Sequence, residues 1–413
     1  MSSRNKMDQE TLKNLNRQII LNLIRKHKEI SRVDLTGFTK LSPTTVSTII
    51  SELVAKKLVT ELRVGESSGG RKPVMIGLNS NARYVASAVL NQKGAEFSVV
   101  NMNYDTVYKE HLEQNLSGIA AVSELLFKGV DKMLSSCAEI KDDICGFGIS
   151  IPGVIDHECG KVLYSSKLHL NNYNISEILG SHLGVKSFVF KDTDALILGE
   201  FNSGIGCLSK NFVYINIDDG VGMSYINSGK LLYPGNGGGF ELGHITIDSN
   251  GPVCRCGNRG CLGAVVSDQP IISKLKKLCE KGYETLIKDD VGKLTLDDIV
   301  EFSNKGDKAC RYVLEEQARV LGTAVASVIN LFNPQLIAIG GSFSKCTWEF
   351  LDILKDTVRD RALEIFSKSI EIHFAKLGDE SALIGMANEI FEREVYGAVS
   401  LHVNEHHDEI GLT

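Results

Sequence analysis

Residues 31–57 read SRVDLTGFTKLSPTTVSTIISELVAKK. The stretch opens two helices in quick succession. Ser31 with Asp34 three residues on is an N-terminal capping arrangement. Ser42 followed by Pro43 is an N-cap serine with proline at the first helical position. The first helix, SRVDLTGFT, is short. In the second, PTTVSTIISELVAKK, Val46, Ile49, Ile50, Leu53 and Val54 fall on one face and predict its buried side. The opposite face carries Thr44, Thr45, Ser47, Thr48 and Ser51, and the helix runs out into Lys56 and Lys57. Small hydroxyl side chains near a helix N-terminus let that helix approach base edges closely, so Ser42, Thr44, Thr45, Ser47 and Thr48 are candidate DNA contacts.

Upstream, Gln9 to His27 shows one apolar stripe: Leu12, Leu15, Ile19, Leu23 and Ile24. Downstream, LVTELRV (58–64) and VMIGL (74–78) flank the polar loop GESSGGRKP (65–73). Two short strands around a flexible basic tip make a wing. Helix, helix, recognition helix and wing give a winged helix-turn-helix over residues 1–80. Lys56, Lys57, Arg63, Arg71 and Lys72 would supply phosphate or minor-groove contacts. Charge agrees with this reading. Residues 1–83 hold 15 Lys and Arg against 7 Asp and Glu, a balance of +8, while the remainder hold 30 against 44, a balance of −14. A basic first fifth on an acidic body suits a polyanion-binding module fused to something else.

From Asn81 the pattern turns β-rich and then α/β. YVASAVL, EFSVVNM and YDTVYKEHLE predict a three-strand meander, and helical segments then alternate with the strands ICGFGISI, KSFVFKD, NFVYINI and QLIAIGG. Glycine-rich turns follow several of these strands, where backbone can approach a ligand. The pattern fits two α/β lobes with a cleft between them, 81–195 and 196–377, the first completed by a helix near 378–394 and followed by a tail, 395–413. No apolar run reaches the ~18 residues of a membrane span. The polar N-terminus has no apolar signal region, so a cytoplasmic protein with no membrane partner is expected.

Ten cysteines are present, three of them in HITIDSNGPVCRCGNRGC (244–261), with C-x-C-x4-C spacing and a histidine ten residues upstream. Without a secretion signal, that cluster reads as a metal site. The other seven, Cys137, Cys145, Cys159, Cys207, Cys279, Cys310 and Cys346, read as buried thiols.

SIPGVID (150–156), FELGHITID, CRCGNRGCL and the winged helix together resemble the ROK family of repressors, open reading frames and sugar kinases. SSGGRKPVM with GHITIDSNGPVCRCGNRGC looks most like its xylose-repressor branch. The resemblance implies an actin-like ATPase/sugar-kinase fold behind the winged helix, with a sugar between its lobes. It implies structural zinc held by His244, Cys254, Cys256 and Cys261, and sugar contacts from Asp192, Glu241 and His244, with Lys191 beside them in the sugar site. The family's kinases carry an Asn-Asp pair whose Asp is the base. Here Asp192 keeps that remnant position, but Lys191 replaces the Asn and is expected to pair with Asp192 or Asp194. The first phosphate loop should fall in AVLNQKGAEF (88–97), which has no glycine cradle, and a sugar-binding Glu is replaced by Gly263. The resemblance therefore implies a repressor with no catalytic residues, bound to double-stranded operator DNA as a homodimer or tetramer and released by a xylose-like sugar. An active sugar kinase with an added DNA-binding domain is the rival. A regulator with a vestigial cleft is the third reading.

Overall fold

The computed structural model describes residues 9–64, 73–235, 238–288, 290–397, 401–403 and 410–412. The chain opens with α1 (Gln9–His27), β1 (Ile30–Ser31), α2 (Arg32–Thr39), α3 (Pro43–Ala55), β2 (Val59–Val64) and β3 (Val74–Leu78). The strands form an antiparallel sheet in the order β1-β3-β2, the sheet of a wing. Both helix starts are as local sequence predicts. Ser31 and Asp34 form a reciprocal capping box, and Ser42 Oγ accepts the Thr45 N–H at 3.1 Å. Val46, Ile49, Ile50 and Leu53 are buried, but Val54 is 40 % exposed. It sits at the edge of an apolar arc wider than the surface α3 packs against. Leu12, in the first turn of α1, is likewise exposed.

Two lobes follow. The first contains β4 (Tyr84–Asn91), β5 (Gly94–Asn101), β6 (Thr106–Glu113), α4 (Gly118–Ser136), β7 (Ile144–Ile151), the small meander β8 (Val154–Asp156), β9 (Lys161–Ser165) and β10 (Leu170–Tyr173), α5 (Ile175–Leu183), β11 (Ser187–Lys191) and α6 (Asp192–Ser203). The second contains β12 (Phe212–Ile217), β13 (Val221–Asn227), β14 (Lys230–Leu231), α7 (Gly263–Val266), α8 (Asp268–Glu280), α9 (Leu296–Asn304), α10 (Lys308–Phe332), β15 (Leu336–Gly341), α11 (Phe350–Arg361), α12 (Glu364–Ser367) and β16 (Glu371–Phe374). Their five-stranded sheets share one plan. The orders are β6-β5-β4-β7-β11 and β14-β13-β12-β15-β16, each an antiparallel meander extended by two parallel strands. The 195/196 boundary read from sequence falls inside α6, which packs against strands of both lobes.

Helix α13 (Glu380–Phe391) returns to the first lobe and lies on α6, β4 and β7. Glycines allow the two helices to touch backbone to backbone. A Cβ built on Gly385 would sit 2.0 Å from the Ala195 carbonyl oxygen, and one on Gly199 would sit 2.0 Å from that of Ser381. No side chain can yield there, so Gly385→Ala is expected to cost about 2 kcal/mol by overpacking. Urea unfolding would measure it, and an unchanged midpoint would contradict the packing described.

The winged helix is anchored to this body through α1. Ile19 to Ile24 are buried on every side and share one core with Phe190, Leu198, Leu383, Met386 and Ile390. After α13 the chain continues as a single π-helical turn, Glu392–Tyr396. Arg25 of α1 pairs with Glu392 at 2.5 Å and lies 4.2 Å over the ring of Tyr396. Val395 and Tyr396, read from sequence as the start of the tail, belong to this packed turn. The tail's described segments pair as β17 (Leu401–Val403) with β18 (Ile410–Leu412).

Candidate DNA interface, metal cluster and cleft

Helix α3 presents Thr44, Ser47, Thr48 and Ser51 to solvent. Thr48 Oγ1 donates to the Thr44 carbonyl and Ser51 Oγ to that of Ser47, so each hydroxyl oxygen still has lone pairs facing outward. Ser42 and Thr45 differ from this group. Their hydroxyls bond each other at 2.8 Å within the cap, and Thr45 is half-buried. Lys56 and Lys57 are exposed just past the helix end, with Lys57 in the left-handed region at φ 59°. Arg63 lies on β2. Its side chain, like Arg71 and Lys72, lies outside the described residues.

His244, Cys254, Cys256 and Cys261 come together. Their donor atoms all lie within 4.8 Å of one another, with Cys256 and Cys261 Sγ 3.8 Å apart and Cys254 Sγ 3.7 Å from His244 Nδ1. A tetrahedral metal with bonds of about 2.3 Å to sulfur needs edges of about 3.8 Å, so the set fits one ion. The loop is shaped from within: the Cys254 N–H bonds the Asn258 carbonyl at 2.7 Å, and bridges pair Thr246 with Cys261 and Val253 with Arg259. Cys261 is fully buried, and that burial pushes its thiol up to about 11. All ten cysteines are free thiols. Of the seven read as buried, Cys159 and Cys207 are exposed in turns, and Cys145 and Cys279 are half-buried.

The cleft residues lie where the lobes meet. Asp192 opens α6 and is half-buried; desolvation raises its carboxyl while Lys167 and Lys191 pull it down. Lys191 pairs with neither Asp192 nor Asp194. Its ammonium crosses to the second lobe and donates to Glu241 Oε1 at 3.0 Å and to the Gly239 carbonyl at 3.2 Å. Those acceptors lie about fifty residues away, beyond what local sequence can show. Gly263 starts α7 against the 241–244 turn: a Cβ there would stand 3.2 Å from the Gly243 carbonyl. His244 turns its Nδ1 to the cysteines.

Sequence reasoning gave His157 no role and named Asp194 only as a partner for Lys191. Ser224 Oγ donates to Asp194 at 2.5 Å, and His157 Nε2 stands 3.4 Å from its other oxygen. His157 also packs on Tyr233 of the second lobe, ring centroids 4.2 Å apart. Burial pushes Asp194 up to about 6 and His157 down to about 4. Behind this wall a cavity of about 470 Å³ is lined by His157, Ser187, Phe188, Tyr233 and Arg393 and by none of Lys191, Asp192, Glu241 or His244. The sequence signal was slight, a histidine after a glycine turn.

The turn read from sequence as the first phosphate loop, and the turns after β12 and β15, are closed by the chain's own side chains. Asn91 to Gly94 form a tight hairpin turn in which Asn91 Oδ1 takes the Lys93 N–H at 2.7 Å. Asp218 fills the space between the glycine turns after β12 and β15. It accepts from Asn216 Nδ2 at 2.8 Å, the Ser342 N–H at 2.9 Å and the Ser342 hydroxyl at 3.1 Å. A carboxylate of the chain thus occupies the first backbone donor of the turn after β15.

A duplicated two-lobed α/β body of this order, with a winged helix fused to its first lobe, defines a DNA-binding protein built on the actin-like sugar-kinase fold. The chain belongs to the ROK family, which residues 92–392 match, and residues 13–60 match the winged helix-turn-helix DNA-binding domains. It is 28 % identical over 377 residues to the xylose repressor of Caldicellulosiruptor bescii, covering 91 % of this chain and 94 % of that one. It is 25 % identical over 374 residues to the N-acetylglucosamine repressor of Escherichia coli O6:H1, covering 91 % and 92 %. A ROK family transcriptional regulator, a homolog of the E. coli MLC protein, superposes with a TM-score of 0.81 at 26 % identity over 93 % of this chain and 97 % of that one. Among the described residues no helix is long and apolar enough to cross a membrane.

Proposed function

We propose that the protein is a sugar-responsive transcriptional repressor whose kinase-like body senses and does not catalyse. The observation that carries this is the double burial of α1. One helix belongs both to the core under the recognition helix and to the core under α13 and β11, so a rearrangement of the first lobe moves the DNA-binding domain with it. Thr44, Ser47 and Thr48 on α3 read base edges in the major groove. A homodimer or tetramer sets two such helices in successive grooves of a palindromic operator, with Lys56, Lys57, Arg63, Arg71 and Lys72 on phosphates or in the minor groove. A sugar among Asp192, Glu241 and His244 favours one lobe arrangement over the other, and only that inequality can release DNA. Zinc held by His244 and the three cysteines fixes the turn that carries Glu241. The hairpin at Asn91–Gly94 and the Asp218 plug support a body without phosphoryl transfer. They weigh against the kinase reading.

The operator is first selected from a random duplex library with the purified protein. Thr44→Ala/Ser47→Ala/Thr48→Ala is then compared with the unaltered chain by anisotropy. Each base contact is worth about 1–3 kcal/mol, so the triple variant should lose at least about 100-fold for the selected site and little for random DNA. If no sequence is enriched, the repressor reading fails.

A further inference from the structure

The inference rests on the reading of the interlobe cleft as an effector site and concerns what that site accepts. Lys191 ends β11 on the first lobe, and its side chain is only 13 % exposed. A nearly buried ammonium needs close acceptors, and its two acceptors, Glu241 Oε1 and the Gly239 carbonyl, belong to the second lobe. The lysine therefore already makes the bonds that a ligand's hydroxyl groups would make there. A neutral sugar entering between Lys191 and Glu241 separates the pair. It can return a hydrogen bond to each, but no charge to the ammonium. An anionic group can take the place of Glu241 on Lys191, one carboxylate or phosphate for another. Glu241, 41 % exposed, then turns to water at little cost. A second cation stands nearby: Lys167 is close enough to pull the Asp192 carboxyl down and lies over Gly220, with only a loose 3.7 Å contact to Asp219.

We propose that Lys191 makes the cleft select an anionic saccharide, bearing a carboxylate or a phosphate, which binds by displacing Glu241 from the ammonium and so breaks the tie between the lobes. Charge-assisted bonds of this kind outweigh neutral ones by about twofold.

The test follows the thermal midpoint of the full-length protein with D-xylose, D-glucose, D-glucuronate and D-glucose 6-phosphate. Ionic strength is matched, and acetate and inorganic phosphate serve as controls. A ligand that binds only the folded state raises the midpoint by mass action. Glucuronate, glucose 6-phosphate or both should raise it where the neutral sugars and simple anions do not, and the responding arm tells carboxylate from phosphate. In Lys191→Asn the anionic response should weaken at least about tenfold in apparent affinity, the loss of one charge-assisted contact. A neutral sugar that shifts the unaltered protein as strongly as the anionic ones overturns the proposal and leaves the effector-site reading standing. So does an anionic response undiminished in Lys191→Asn. If none of the four saccharides shifts either protein, the effector-site reading falls along with the proposal.

Discussion

Stripping the proposed zinc from the His244–Cys261 cluster is expected to be the most damaging single change that leaves the sequence untouched. The four donor side chains are arranged around one point, and the loop that carries them is otherwise held by polar contacts, among them Arg255 to the Asp219 carbonyl and Arg259 to that of Gly251. Pro252 to Arg259 is mostly exposed and spanned by one isolated bridge, Val253 with Arg259. A structural zinc contributes on the order of 10 kcal/mol to the folding of a small metal-dependent unit. Much of that would be lost locally, because the loop can open without the rest of the lobe. Losing even ~4 kcal/mol of it from the second lobe should lower the thermal midpoint by about 10 °C, at roughly 2–4 °C per kcal/mol for a domain of that size. Trypsin should then cut at Arg255 and Arg259 before other sites. The damage reaches the cleft because the Leu262 N–H bonds the Ile245 carbonyl and Cys261 Sγ bonds that of His244, so the loop and the 241–244 turn move together. Cys256→Ser should reproduce the effect. A chelated protein verified as metal-free, with an unchanged midpoint and no new cleavage at Arg255, would show that the cluster holds no structural ion.

What the sequence disclosed was mostly what is settled within a few residues. Ser31 with Asp34 and Ser42 with Pro43 announce their helices because a cap is made by neighbours. The metal cluster was legible for the same reason: three of its ligands lie in eight residues. Long-range packing was not legible. Ile19 to Ile24 look like half of an amphipathic stripe, yet all are buried, because α13 and Tyr396, more than 350 residues away, cover the other side of α1. Val54 looks like part of a buried face and is not, since periodicity gives the direction of an apolar arc and not its width. Lys191 was visible as an odd residue, but its partner was not. Adjacent acids made the local pairing attractive, while the helix start turned the side chain across the cleft. The cavity behind His157 had no sequence signature at all, because β11, α5, the turn before β9 and Arg393 meet there only in the fold.

Asp194→Asn should make the protein more stable at neutral pH, although it removes a buried charge-bearing group beside the cleft. The carboxyl of Asp194 is raised from 3.8 to about 6, by burial above all. The folded chain therefore holds this proton to a higher pH than the unfolded chain does. Nothing is lost below 3.8. Stability then falls as pH rises through the window from 3.8 to about 6, and above it the ionised carboxylate costs on the order of 3 kcal/mol. Asparagine cannot ionise. Its oxygen can still accept from Ser224 Oγ, and its amide faces His157 Nε2, a nitrogen able to accept when neutral. His157 works in the opposite direction. Burial lowers it from 6.5 to about 4, so the unfolded chain binds the extra proton and stability rises with pH between 4 and 6.5. In the unaltered protein the two slopes offset each other over most of that range. Asp194→Asn should unmask the histidine. Urea unfolding should find the variant within about 1 kcal/mol of the unaltered protein near pH 4 and ahead by on the order of 3 kcal/mol near pH 7.5. Equal differences at both values would mean that Asp194 is not held neutral by burial. A buried acid that lowers stability at working pH, at the wall between cleft and cavity, is better explained by what it does for a ligand than by packing. The same variant should therefore alter effector response while leaving affinity for bare operator DNA unchanged.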